Sequence, residues 1–261
     1  MSLPGRPKGE YRRAKPEGTP MSDALTKLLT VLPWWDGAAL AWFFAAWIGY
    51  ARFARRHAPT QPSLLAAGNR VRQQWMLQST RRDVRVLDAI VVQNLSTSPS
   101  FFASTTILIV GGLLALLGSA DHTSNLVTEL PFTARTSALV LDLKLVLLTG
   151  IFIYAFFRFT WSLRQYSLGA MLVACAPPFD EFPRLGEAVR ERHADRAGSM
   201  MGLAAESFND GTRAYYFAFA AAAWLFSPVA LALGSAGVVW ILYQREFHSE
   251  ALALMRDFDQ R

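Results

Sequence analysis

A single cysteine, Cys175, leaves the 261-residue chain without an intramolecular disulfide or a cysteine-based metal cluster. Its expected place is a small buried apolar position. The four histidines, His57, His122, His193 and His248, show no i,i+3 or i,i+4 spacing that would put two imidazole ligands on one helix face. Also missing are a glycine-rich phosphate loop, a His-Glu zinc motif and a nucleophile elbow. The residues therefore announce no catalytic site, no metal and no cofactor, and the chain reads as non-enzymatic. An internal repeat is absent too, which argues against a transporter built from inverted halves.

What the chain has instead is apolar length, with 52% hydrophobic and 13% aromatic residues distributed in runs. Phe101 to Ala120 and Ala214 to Gln244 carry no charge, and each exceeds or equals the ~20 residues that cross a bilayer as a helix. Neither run alternates as a barrel strand would, and backbone inside hydrocarbon must be hydrogen-bonded internally, so helices are expected. Two weaker runs complete the set. Residues 34–54 need Trp34, Trp35, Arg52, Arg55 and Arg56 as interfacial anchors, and residues 138–157 contain Asp142 and Lys144. The pattern predicts an all-α polytopic membrane protein with about four transmembrane helices, at 34–54, 101–120, 138–157 and 215–243. Pro228 is expected to bend the last of these, and the run is open to two readings, one kinked span or a hairpin.

The domain reading is a basic, disordered tail and lead-in over 1–33, one membrane domain over 34–255 and a short tail over 256–261. No cleavable signal peptide is expected, because the first apolar run begins near Trp34, behind a long basic region. Between the runs, Val71 to Val91 and residues 186–210 show helical apolar spacing against charged faces, which predicts amphipathic cytoplasmic helices. Lys and Arg number eight in 52–100, one in 121–137 and seven in 158–213. Basic loops stay inside, so both long connections are expected in the cytoplasm and both termini outside, with anionic lipid rather than nucleic acid as the partner of the net +6 charge.

Three groups of residues merit attention. Asp36, Asp142, Lys144, Arg245 and Glu246 are expected at one outer level as a charge cluster, pairing Lys144 with Asp36 and Asp142 with Arg245; a proton or ion relay is the other reading. Arg158, Arg164 and Arg213, beside Tyr and Trp, are expected to meet lipid phosphates or a small anion at the inner level. Ser104, Gly111, Ala115 and Gly118 share one helix face, as do Ala230, Gly234 and Gly237, and such faces serve packing within a bundle or between copies in a homo-oligomer.

Four stretches stand in order along the chain: SFFASTT from Ser100, FRFTWSLRQY from Phe157, FNDGTRAYYF from Phe208 and LYQREFHS from Leu242. With them the chain, over about residues 34–255, resembles the bacterial "domain of unknown function 599" membrane proteins. The resemblance implies a multi-span inner-membrane protein and no particular chemistry. The leading expectation is a membrane scaffold or assembly component; the alternative is a channel or small-solute transporter formed by several copies.

Overall fold

The computed structural model describes residues 33–57, 63–119 and 138–258, and the disorder expected for the N-terminal tail lies outside them. Among the described residues all regular structure is helical. The helices are α1 (Trp34–His57), α2 (Leu64–Ser79), α3 (Val86–Gly118), α4 (Ala138–Ala174), α5 (Phe182–Leu185), α6 (Glu187–Ala223), α7 (Pro228–Phe247) and α8 (Glu250–Phe258). Two segments, Val86–Gly118 and Leu139–Ala174, are long and apolar enough to cross a membrane.

The frame is three long helices, α3, α4 and α6, of about 50 to 55 Å each at 1.5 Å per residue. They run through two hydrophobic cores. In one half α1 and α7 join them around Phe43, Phe159, Phe217, Trp224 and Leu231, all fully buried. In the other half α2 packs on α6, with Met76, Val92, Tyr166, Ala197 and Met201 between the helices. A layer of rings joins the halves: Phe102 stacks on Phe159 at 5.3 Å, and Tyr215 meets Phe152 edge-on at 5.2 Å. The Tyr215 hydroxyl lies 2.7 Å from Thr106 Oγ1, which fixes α3 against α6 within this layer.

Close approach of α6 depends on glycine. A Cβ on Gly211 would lie 2.5 Å from the Phe159 ring, and one on Gly198 would lie 2.9 Å from the Gln73 backbone. Where α7 crosses α6, a Cβ on Gly234 would meet Ala220 at 3.4 Å, an ordinary contact. Along α6 the glycines thus stand where helices touch.

Several expectations are corrected. The last apolar run is a hairpin, not one bent helix: the chain reverses over Trp224 to Ser227, where Ser227 Oγ accepts from the Ala230 amide at 3.0 Å and Pro228 takes the first helical position. A proline there loses nothing, because the first turn has no intrahelical partner for its amide. As a result α7 ends beside α2, with the Leu65 amide donating to Glu246, while Trp34 and Asp36 sit at the opposite end. The two ends of the described chain thus do not share a level.

The helix expected from Val71 to Val91 is broken. Ser79 and Thr80 turn their hydroxyls back onto the carbonyls of Met76 and Leu77, and a new helix starts at Val86 and continues through Pro99 into the second apolar run. Arg85 holds the break by donating to the carbonyls of Ser79, Ala176 and Pro177. The third run likewise continues well past Phe157, to Ala174, short of the Pro177-Pro178 stop. Cys175 is exposed rather than buried.

The stripe Ser104, Gly111, Ala115 and Gly118 faces outward, and α3 buries Ala103, Thr106 and Leu113 instead, so the stripe is not a packing face among the described residues. These environments separate the glycines in a thermal unfolding series. Gly211→Ala, forced against Phe159, should cost about 1 to 3 kcal/mol, whereas Gly111→Ala, with nothing within 4 Å of its Cβ, should leave the midpoint unchanged or raise it.

Candidate functional site

Polar side chains in an apolar bundle need partners, and here they gather in two layers about four turns apart along α4, roughly 21 Å. The first surrounds Trp224 at the hairpin turn. Asp36 in the first turn of α1 and Lys144 on α4 are both nearly inaccessible, at 7% and 5% exposure. Trp224 stands between them: its Nε1–H donates to Asp36 Oδ1 at 2.6 Å, and Lys144 Nζ lies 5.4 Å from the centre of its ring. Acid and base therefore meet through an indole. The ring edge stabilises the carboxylate and the ring face the ammonium.

The second layer lies at the α2 end. Asp210 on α6 accepts from Arg158 Nη2 at 2.7 Å and from Arg213 Nη1 at 3.3 Å. Arg213 continues to Glu246 on α7 at 3.5 Å, and its guanidinium stacks over Tyr50 of α1 at 5.7 Å. Glu246 also accepts from the Leu65 amide at 3.3 Å. Asp210 and Arg213 are each 8% exposed, and the network ties α1, α2, α4, α6 and α7 at one level. Nearby, Ser162 donates to the Ala204 carbonyl at 2.7 Å, and Ser207 lies 2.6 Å from the Gln165 amide, which extends the polar seam of α4 and α6.

The expected five-residue charge cluster is thus divided. Asp36, Asp142 and Lys144 remain at the Trp224 end, while Arg245 and Glu246 lie at the other because α7 runs back. Arg245 donates to the Tyr216 hydroxyl, so the expected pairing with Asp142 does not form. Asp142 itself is half-buried. Of the three arginines proposed for phosphate, Arg158 and Arg213 are bound to Asp210, and Arg164 is exposed.

Sequence reasoning missed Trp224 and Tyr50 as participants, and it missed Asp88 altogether. Asp88 is wholly buried and receives Trp75 Nε1–H at 2.7 Å together with Arg82, which fastens the start of α3 to α2. Its signal was available, since an acid among Val86, Leu87, Ile90 and Val91 must be either exposed or paired.

No curated protein and no solved structure matches the chain. A family model described as "Protein of unknown function, DUF599" matches residues 38–251, and the chain belongs to that family.

A double-mutant cycle tests the second layer. Asp210→Ala takes the carboxylate from the half-buried Arg158 and leaves the buried Arg213 with Glu246 alone, and should cost about 3 kcal/mol. Arg158→Ala should cost far less on the Asp210→Ala background than on the parent, and equal losses on both backgrounds would show the two residues to be uncoupled.

Proposed function

We propose that this member of the DUF599 family is a multi-pass inner-membrane protein acting as a non-enzymatic scaffold or assembly component. The observation that carries this reading is the filled axis of the bundle. Phe43, Phe159 and Phe217 are fully buried there, with the half-buried Trp47 stacked on Phe217 at 5.4 Å and Phe43 edge-on to the same ring at 5.7 Å. A single chain whose centre is packed with rings has a core in the place where a conductor would have a path.

In the membrane reading α1, the Phe101–Gly118 part of α3 and the Ala138–Phe157 part of α4 cross, and the last run crosses twice as a hairpin. The α6 arm from Arg213 to Trp224 measures only about 17 Å, short of the ~30 Å of hydrocarbon. Most of it is shielded by its neighbours: Ala214, Phe217, Ala218, Ala220 and Ala221 are buried among α1, α4 and α7, and Phe219 faces outward. The outward helices carry the lipid contact through Ile107, Leu108, Leu114, Val146 and Phe157. Fifteen Lys and Arg of the two long connections then lie in the cytoplasm, with Arg245 at the same level.

Reconstitution tests the scaffold against the oligomeric conductor. Vesicles containing the purified protein should release trapped potassium or dissipate a proton gradient no faster than empty ones. Flux that disappears in Lys144→Ala without loss of folded protein would overturn the scaffold reading in favour of transport.

A further inference from the structure

We propose that the cavity between α2, α6, α7 and α8 binds a phosphate group, presented by an anionic phospholipid or by a soluble phosphate compound. The cavity measures about 380 Å³ and is walled by Arg72, Arg213 and Arg245, with Asn209, Thr212 and Tyr216 as neutral polar residues of the same wall. Its size falls within the roughly 300 to 1,000 Å³ of small-ligand sites.

Charge counting singles it out. In the adjoining network two arginines, Arg158 and Arg213, face two carboxylates, Asp210 and Glu246. That set is balanced, and Glu246, although it also lines the cavity, is occupied by Arg213 and the Leu65 amide. Arg72 and Arg245 are the remainder. Their partners are neutral oxygens: Arg72 Nη1 donates to Asn69 Oδ1 at 3.0 Å, and Arg245 donates to the Tyr216 hydroxyl. Two guanidiniums thus border one cavity with no carboxylate of their own among the described residues.

Burial holds the Arg72 guanidinium below its ordinary pKa, against the opposing influence of Tyr166, so its charge is poorly compensated where it stands. Guanidinium forks match the planar spread of phosphate oxygens and hold them by paired, charge-assisted bonds. The depth also fits. The cavity lies at the end of the bundle where α1 carries Arg52, Arg55 and Arg56, the level at which headgroup phosphates would stand.

Full-length protein in nanodiscs of phosphatidylcholine with a minority of phosphatidylglycerol provides the test, read by native mass spectrometry as retained phosphatidylglycerol. At fixed ionic strength, inorganic phosphate is then titrated against retention and against the thermal midpoint. The Arg72→Gln/Arg245→Gln variant should bind about tenfold more weakly or worse. Arg192→Gln/Arg196→Gln, with the same charge loss on the exposed face of α6, should behave as the parent. Retention that phosphate does not displace identifies the lipid headgroup. A midpoint raised by phosphate, with phosphatidylglycerol displaced, identifies a soluble ligand. Binding unchanged in the double variant, or no binding of either probe to the parent, would overturn the proposal. Should the double variant fail to fold, Arg245→Gln alone, at an exposed position, gives the same comparison.

Discussion

The carboxylate of Asp210 sits where α4, α6 and α7 converge, and an anion so nearly shut off from water must be answered by cations at fixed positions. Arg158 answers from α4 and Arg213 from its own helix, and Arg213 then reaches Glu246 on α7. Sliding any of these helices by one turn would remove a partner from a buried charge. The close contact of Gly211 with Phe159 lies next to Asp210 in sequence, so the electrostatic and steric constraints act at one crossing.

The hairpin follows from the same constraint. Glu246 can reach Arg213 only because the chain turns back after Trp224, and the turn carries its own polar fastening in the indole that bridges Asp36 and Lys144. The bundle is thereby pinned at two levels, with packed aromatic rings between. The family match covers residues 38–251, which take in Lys144, Trp224 and the whole Asp210 layer, and it begins two residues after Asp36 and ends before Met255 of the cavity wall.

Helical character and the starts of the apolar segments were legible because a charge-free stretch such as Phe101 to Ala120 has few other solutions in water or lipid. The direction of the last run was not. Ser227-Pro228 is at once a kink signal inside a long helix and an N-cap followed by proline at the start of a new one, and local chemistry is the same for both. Reading it as a kink misplaced Arg245 and Glu246 by the whole length of α7. The break after Ser79 was hidden for a different reason: Arg81, Arg82 and Asp83 look like a charged helix face, and only the distant carbonyls of Ala176 and Pro177 explain why Arg85 holds a turn. The common depth of Lys144 and Asp36 was legible, but their burial was not, since a lysine in the first turns of a span can reach water, and the tryptophan between them comes from a segment more than 70 residues away in sequence.

The direction of α7 is the point on which the account stands, and cysteine accessibility measures it directly. With Cys175 replaced by serine, single cysteines at Ser227 and Ser249 are treated in intact cells with a membrane-impermeant thiol reagent. The hairpin predicts labelling of the Ser227→Cys protein from outside and of the Ser249→Cys protein only after the membrane is opened. Labelling at 249 in intact cells, with 227 unreactive, would mean one continuous crossing and would contradict the account.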